Sequence, residues 1–417
     1  MWGRIRASIA WFSLIGVWYA APSSALGSPR VVLIRNGHVI TVSGAEIPHG
    51  DVLIVGRLIR RVGQRLRAPK GALIIDATGR FVTPGLIETH SHMGVHPIPT
   101  VGGRDTNESS HPIMPQVRVI DAVNISDPAI RLSWRGGITT IQVLPGSSNV
   151  IGGQSVVLKL RGGTVGSMLF REAPRGLKMA LGENPKRNFN RRMPTSRMGA
   201  AYLLRLWFSR AKQYLAAWRH YDAQKGQSLR PPTRDLKLEV LADVLRGKLR
   251  VHVHTYRADE MLTMLRIADE FGFRIASFQH ALEGYKIATT IAKRNVGVAT
   301  FADKWGHKWE AQNATVRNAA LLVRAGVVVA IHTDHPVIEQ WWLIHEAAKA
   351  MKYGLSRVDA WRAVTINPAK ILGVEKYVGS LEPGKHGDVV VWDRDPFRIG
   401  ARTNWVLIEG RVVYEKK

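Results

Sequence analysis

His90 and His92 give the sharpest local signal in the sequence, at the end of the segment GLIETHSH. The apolar residues before them predict a strand, and side chains two residues apart on a strand point to the same side. Both imidazoles can therefore face one point and bind a single divalent ion. A histidine pair of this kind is common by chance, so it does not define a metal site by itself.

Three further potential metal ligands end other apolar runs. His254 ends LRVHVH, His280 ends FRIASFQH, and Asp334 ends VVVAIHTD. Imidazole and carboxylate together suit Zn²⁺ and related divalent ions, and an incomplete coordination shell leaves a position for water. The carboxyl ends of parallel barrel strands meet at one end of the barrel, so these positions predict one shared metal site. Four unrelated buried histidines would be scattered instead.

The middle of the chain alternates short apolar runs with helical patterns. Each apolar run ends in polar residues, as buried parallel strands do. Helical patterns such as 258–271 and 316–325 lie between the runs, as βα units require. The pattern predicts an α/β fold with a (β/α) barrel over residues 84–374. Residues 145–154 (PGSSNVIGGQ) lack the ending of a phosphate-binding loop and are predicted to form a tight barrel loop.

Both ends of the chain carry alternating apolar residues that predict antiparallel strands. The segments are 31–42, 51–62, 388–392 and 405–414. Strands at both ends of an inserted barrel predict one small β domain, built from residues 28–83 and 375–417.

Residues 1–27 have the order of a secretory signal peptide. Arg4 and Arg6 precede an apolar stretch over 7–21, and small residues follow before a cleavage point near Ala25 or Gly27. This order predicts a periplasmic or secreted protein. An uncleaved membrane anchor is the alternative, although the apolar stretch is short for a membrane span.

The formal net charge is +27, with the excess concentrated between Lys186 and Arg257. Such a field attracts polyanions, and for an exported protein an anionic envelope surface is the expected partner. Specific nucleic-acid binding is not expected, since the sequence shows no base-reading or stacking module. A basic but merely solvated surface is the alternative.

Several motifs together resemble the amidohydrolase superfamily, in particular its imidazolonepropionase-related branch. They are VTPGLIETHSH, the histidines of the later strands, TDHP at 333–336 and SLEPGKHGDVVVWD near the end. The resemblance covers nearly the whole chain after the signal segment. It implies a (β/α)8 TIM barrel with a small β-sandwich domain formed from both chain ends. It also implies one or two divalent metal ions, with Zn²⁺ expected, and hydrolysis at a carbonyl-type carbon.

The resemblance can be carried over residue by residue. It implies metal ligands at His90, His92, His254, His280 and Asp334, with Asp334 also accepting and returning the catalytic proton. His252 is the rival to His254. It lies two residues deeper on the same side of the strand and is expected to be a packed neighbour.

The ligand that bridges two metals is less determined, because superfamily members use either a carboxylated lysine or a glutamate. The segment GLKMALGEN offers Lys178 and Glu183. Glu183 is preferred because it follows a glycine at the strand end and is anionic without modification. Lys178 would need carboxylation to bind a cation. His332 and His335 flank Asp334 and either stabilise an oxyanion or have a structural role.

The expected function is metal-dependent hydrolysis of a C–N bond in a small molecule with an amide, peptide-like or cyclic amide group. A bound divalent ion lowers the pKa of its water from ~15.7 towards ~7, which supplies hydroxide at neutral pH. Two alternatives stay open: a deaminase or lactonase with the same metal site, and a non-catalytic polyanion-binding envelope protein. The complete ligand set argues against the second. A homo-oligomeric state is neither predicted nor excluded.

Overall fold

A computed structural model describes residues 30–99, 103–224 and 230–416. The predicted signal segment, residues 1–27, lies outside these described residues. In chain order the strands are β1 (Val31–Val39), β2 (Ile47–Val55), β3 (Leu58–Gly63), β4 (Leu73–Asp76), β5 (Phe81–Pro84), β6 (Leu86–Ser91), β7 (Ile138–Val143), β8 (Ile151–Lys159), β9 (Gly176–Ala180), β10 (Arg250–Thr255), β11 (Ile275–His280), β12 (Gly297–Thr300), β13 (Val329–Ile331), β14 (Val389–Trp392), β15 (Thr403–Ile408) and β16 (Arg411–Glu415). The helices are α1 (Ala129–Arg135), α2 (Val165–Met168), α3 (Glu183–Asn188), α4 (Arg197–Ala223), α5 (Leu236–Leu245), α6 (Ala258–Phe271), α7 (Ala288–Lys293), α8 (Asn318–Arg324), α9 (Leu343–Lys352), α10 (Arg357–Ala363) and α11 (Ile366–Leu372).

Strands from both ends of the chain form one sheet, which we call the terminal sheet. Its order is β16-β15-β14-β5-β1-β2-β3, with β4 also paired to β1. The two chain ends meet where β14 pairs antiparallel with β5, placing Val389 opposite Pro84. Val32 and Ile34 pack into one buried apolar cluster, and Leu33 between them packs into another, so both sides of β1 are covered in this stretch. Strands are therefore present at both ends, as the sequence pattern predicts.

The second sheet is a nearly closed eight-stranded barrel with the order β6 to β13. A single parallel bridge between Ser91 and His335 connects its first and last strands. Helices surround the barrel, and α6 buries Met261, Met264 and Ala268 along one face at helical spacing. Burying an apolar side chain of Met size contributes roughly 1.5–3 kcal/mol. Within the described residues, no helix combines the length and apolar character needed to cross a membrane.

Strand β8 departs from the predicted succession of parallel strands. It pairs antiparallel with both β7 and β9, whereas the other strand pairs of the barrel are parallel. The link from Val143 to Ile151 is too short for a crossover helix, which a parallel connection needs, but it suits a hairpin. The predicted loop 145–154 is thus only partly a loop, since Ile151–Gln154 belong to β8.

The reversed direction of β8 determines which residues lie at each end of the barrel. Ile151 pairs with Met179 near the carboxyl end of β9, whereas Lys159 pairs with Thr140 near the start of β7. We call the carboxyl end of the parallel strands the site end, and the opposite end the far end. Residues that follow Lys159 therefore leave the barrel at the far end.

Candidate metal centre

His90 and His92 meet Asp334 at the site end of the barrel. The Asp334 Oδ1 atom lies 3.3 Å from His90 Nε2 and 3.2 Å from His92 Nε2. His90 lies next to the last residue of the buried strand β6, and Asp334 follows β13, which lies next to β6 where the barrel closes. Asp334 has a positive φ of 55°, so the backbone turns sharply at this residue. The three donor atoms lie close enough together to hold one metal ion.

The hydrogen bonds of the His90 and His92 rings show which ring nitrogen carries the proton and which has a free lone pair. His90 Nδ1 lies 2.8 Å from the Gln279 amide oxygen, and His92 Nδ1 lies 2.8 Å from the Leu144 carbonyl oxygen. Both partners can only accept, so each Nδ1 carries the proton and each neutral ring leaves Nε2 bare. Two bare nitrogens then face a carboxylate oxygen, an arrangement that a cation between them stabilises. The donor set therefore fits a divalent metal.

A second group of imidazoles adjoins the first. Ligand atoms of His90, His280 and His332 all lie within 4.8 Å of one another. Nδ1 of His254, Nδ1 of His280 and both ring nitrogens of His332 are buried without a hydrogen-bond partner among the described residues. Desolvation lowers the pKa of His332 to about 4 and the pKa values of His254 and His280 well below the usual range. These rings are therefore neutral, which is the form that binds metals.

Lys178 brings an amine to the same place. It lies on β9 with almost no exposure, and its Nζ is 3.3 Å from His90 Nε2 and 3.2 Å from the Pro145 carbonyl oxygen. Burial lowers the pKa of Lys178 to about 8, an effect that the negative charge of Asp334 partly offsets. With this pKa, about a tenth of the molecules carry the neutral amine at pH 7.

Glu183, the preferred bridging ligand from the sequence, has other partners. Its Oε1 accepts the backbone N–H of Glu310 at 3.1 Å, and Glu310 Oε2 accepts the backbone N–H of Glu183 at 2.9 Å. The chain turns at Gly182, whose φ is 89°, and enters α3 beside Glu310. Within the described residues, no hydrogen bond or ion pair joins Glu183 to the imidazoles. Of the two candidates from the sequence, Lys178 is the one that contacts an imidazole of the group.

Glu88 is a site residue that the sequence reasoning missed. It is fully buried on β6 and accepts hydrogen bonds from His90 N at 2.8 Å, Thr333 N at 2.9 Å and Thr333 Oγ1 at 2.6 Å. Burial raises the pKa of Glu88 to about 8, although these donors favour its ionised form. The carboxyl group ties β6 to the segment that carries Asp334. An acid two residues before His90 in an apolar strand was the available signal.

The two histidines that flank Asp334 have different surroundings. His332 belongs to the imidazole group and stacks on His90 with a centroid distance of 5.1 Å. His335 accepts the backbone N–H of Gln340 at 3.3 Å, and burial lowers its pKa to about 3. Its Nε2 is buried without a hydrogen-bond partner among the described residues. His252 also lies away from the imidazole group, with its Nδ1 2.8 Å from Ser277 Oγ.

Two further side chains surround the imidazoles. Tyr256 stacks on His280 with a centroid distance of 5.1 Å. Lys308 Nζ lies 4.0 Å from the centroid of the Tyr256 ring and 3.0 Å from Glu310 Oε1. The cation of Lys308 is thus fixed beside the site, where it contributes to lowering the pKa of His254.

Three comparisons relate this geometry to known proteins. The family model described as Amidohydrolase family matches residues 298–414. The chain is 35% identical over 391 residues to the amidohydrolase tasK of Hapsidospora irregularis, a match that covers 88% of this chain and 40% of that protein. A stretch of 62 residues is 45% identical to a dihydroorotase of Citrifermentans bemidjiense and covers 15% of each chain. The chain therefore spans only a minor part of these two relatives.

A solved structure matches along its whole length. The crystal structure of an amidohydrolase from Thermotoga maritima MSB8 is 37% identical, with a TM-score of 0.88. The match covers 92% of this chain and 100% of that one. The chain belongs to the amidohydrolase family and is a hydrolase.

Proposed function

We propose that the protein is a metal-dependent hydrolase that cleaves a C–N bond in a small molecule with an amide, peptide-like or cyclic amide group. One observation carries the proposal: the bare Nε2 atoms of His90 and His92 face Asp334 Oδ1 at 3.3 and 3.2 Å. Neutral imidazoles and a carboxylate in this arrangement are what a divalent cation requires. The membership of the amidohydrolase family supports the same activity.

The residues that would hold the metal come from five strand ends. They are His90, His92, His254, His280 and Asp334, with Lys178 as the candidate bridging ligand. Zinc, as one or two ions, is the proposed metal because imidazole and carboxylate ligands suit it. When bound, such an ion supplies Lewis acidity and a water of lowered pKa.

Lys178 is proposed to become a ligand by carboxylation. Its neutral amine attacks the carbon of CO2, a new N–C bond forms, and a proton is released to give an anionic carbamate. The low pKa of the lysine favours this step, because only the unprotonated amine is nucleophilic. The product turns a buried cation beside His90 into an anion, which suits a metal site.

Asp334 is proposed to transfer the proton. Its side chain is 14% exposed, so substrate and water can reach its carboxylate beside the imidazoles of His90 and His92. It accepts a proton from the attacking water and returns it to the leaving nitrogen, which is the work of a general base and acid. His332 is fully buried beside this position, among the imidazoles of His90 and His280.

The decisive experiment combines metal analysis with a substrate screen of the purified full chain. Dipeptides, N-acyl amino acids and cyclic amides are the test compounds, with lactones and aminated heterocycles as the arms for a lactonase or a deaminase. We expect bound divalent metal in protein purified without chelator, its loss in the His90→Ala/His92→Ala variant, and turnover of an amide. Folded protein with no more than a trace of metal would overturn the proposal.

Two further assignments rest on the sequence and are proposals. Export is supported by the order of residues 1–27, and mass spectrometry of the mature N-terminus tests it. Salt-sensitive binding to anionic envelopes is supported by the basic region from Lys186 to Arg257, and vesicle co-sedimentation at low and high salt tests it. The imidazolonepropionase-related branch, the β-sandwich form of the small domain and the boundaries at 84 and 374 stay predictions.

A further inference from the structure

An arginine-lined cleft of about 880 Å³ lies between the terminal sheet and the far end of the barrel. The turn after β2, the turn before β16 and the segment that follows β8 form its walls. Because β8 runs antiparallel, this segment leaves the barrel at the end opposite the imidazoles. The cleft is therefore separate from the candidate metal centre. The arginines that line it are Arg30, Arg57, Arg161, Arg171 and Arg411.

Three of these arginines have no carboxylate partner. Arg30, Arg171 and Arg411 are exposed, and no carboxylate among the described residues lies within ion-pair distance of them. The other two are paired: Arg57 contacts Glu172 at 2.5 Å, and Arg161 contacts Glu409 at 2.9 Å. The unpaired guanidinium groups are thus available to an anion from solution.

The base of the cleft is a buried network that fixes the paired arginines. Lys159, which has no exposure, lies 2.6 Å from Asp388 Oδ2 and 4.0 Å from Glu409 Oε1. Arg161 donates to the Ser167 carbonyl oxygen at 2.6 Å, while its buried Nε has no partner among the described residues. Six cations face three carboxylates across the cleft and its base, an excess of three positive charges.

His386 does not change this balance. It lies at the base of the cleft, where Arg57 Nη2 is 2.7 Å from its Nε2. Burial lowers the pKa of His386 to about 4, so the ring is neutral at physiological pH. The cleft therefore keeps its positive charge without a contribution from titrating histidine.

We propose that this cleft binds a small phosphate-containing anion with two or more negative charges. Guanidinium groups bind phosphate through paired N–H donors, and several of them around one concave space select a multivalent anion over chloride. A cleft of this volume exceeds the size of a single phosphate and accommodates a diphosphate or a phosphorylated organic molecule. The proposal goes beyond the hydrolytic function and does not depend on it.

The test is calorimetric titration of the full chain with inorganic pyrophosphate at low ionic strength. The variant Arg171→Gln/Arg411→Gln removes two unpaired guanidinium groups, and their exposure means that folding should be unaffected. Arg274→Gln/Arg398→Gln removes the same charge from exposed positions outside the cleft and is the matched control. We expect the cleft variant to weaken pyrophosphate binding by about tenfold or more and the control to bind as the parent does.

A second measurement distinguishes two sources of the phosphate group. Cardiolipin vesicles, whose headgroup carries two phosphates, are sedimented with the same three proteins. Binding of pyrophosphate that depends on the cleft arginines supports a free phosphorylated molecule. Cleft-dependent binding of vesicles alone supports a lipid headgroup as the source. The absence of both, or an equal loss in the cleft and control variants, overturns the proposal.

Discussion

Two fully buried lysines occupy opposite ends of the barrel, and their surroundings differ. At the far end, Lys159 contacts Asp388 Oδ2 at 2.6 Å, so its charge is compensated by a carboxylate. At the site end, Lys178 Nζ has hydrogen-bond contacts with His90 Nε2 at 3.3 Å and the Pro145 carbonyl oxygen at 3.2 Å. Burial lowers the pKa of both amines, and for Lys178 it lowers it to about 8.

The difference separates a lysine that stabilises the fold, Lys159, from a lysine whose amine is available for chemistry, Lys178. A buried charge with a hydrogen-bonded partner holds elements together, and here Lys159 joins β8 to the terminal sheet. A buried amine without a carboxylate within ion-pair distance destabilises the fold while it is charged, and such strain occurs mainly where function requires it. We therefore expect substitutions at the two lysines to have opposite effects on stability.

The largest expected effect follows removal of the structural lysine. Lys159→Met leaves Asp388 buried without its cation, which should lower the free energy of unfolding by about 3–5 kcal/mol. Chemical denaturation of the metal-free protein measures the change. Lys248→Gln, which removes an exposed lysine 3.8 Å from Asp243, is the control and should change stability by less than about 1 kcal/mol. Equal stability of the parent and Lys159→Met would contradict the stabilising role assigned to Lys159.

The next effect concerns turnover at the site end. Asp334→Asn removes the proposed proton acceptor and should lower turnover of the identified substrate by ~10²-fold or more, with most of the metal retained. Asp121→Asn, at an exposed ion pair with Arg118, is the matched control. If Asp334→Asn hydrolyses the substrate at the parent rate, the assigned proton transfer is wrong.

Removal of Lys178, the lysine at the site end, should stabilise the metal-free protein. Lys178 has a pKa of about 8 in the folded state, below the ordinary value of 10.5, so the folded protein binds the proton less tightly than the unfolded chain. The penalty is complete below about pH 8 and disappears as the pH rises towards 10.5. Lys178→Met should therefore gain about 1–3 kcal/mol at pH 7, and less at pH 10.

The measurement is denaturation of the parent and Lys178→Met at both pH values, without metal and with CO2 removed. The difference between the two proteins isolates Lys178 from other groups that titrate in this range, Glu88 among them. A stability loss in Lys178→Met that is the same at both pH values would show a packing role like that of Lys159.

The smallest effect is expected at Glu183. Its carboxylate accepts the Glu310 backbone N–H and does not contact the imidazoles, so Glu183→Gln should keep the metal content of the parent. Lys178→Met should lower it under the same conditions. Metal analysis of both variants decides between the two candidate ligands. Loss of metal in Glu183→Gln with full retention in Lys178→Met would restore the preference drawn from the sequence.

The sequence alone determined much of this site because strand periodicity is local. Neighbouring residues decide that His90 and His92 lie two residues apart at the carboxyl end of one strand and that Asp334 follows another. The ends of parallel strands must then meet, so residues nearly 250 positions apart could be placed together. The strands at both chain ends were predictable for the same reason, since short apolar runs separated by glycine and proline favour strands locally.

Only the tertiary structure decided the choices that depend on direction and on neighbours from other segments. The antiparallel direction of β8 depends on its pairing with β7 and β9. The hydrogen bonds of Glu183 depend on Glu310, which lies 127 residues away in the sequence. Lys159 and Lys178 are alike in the sequence, each a lysine within an apolar run. Their roles differ because the electrostatic energy of a buried charge depends on the groups within a few ångströms of it. Folding alone determines which groups those are.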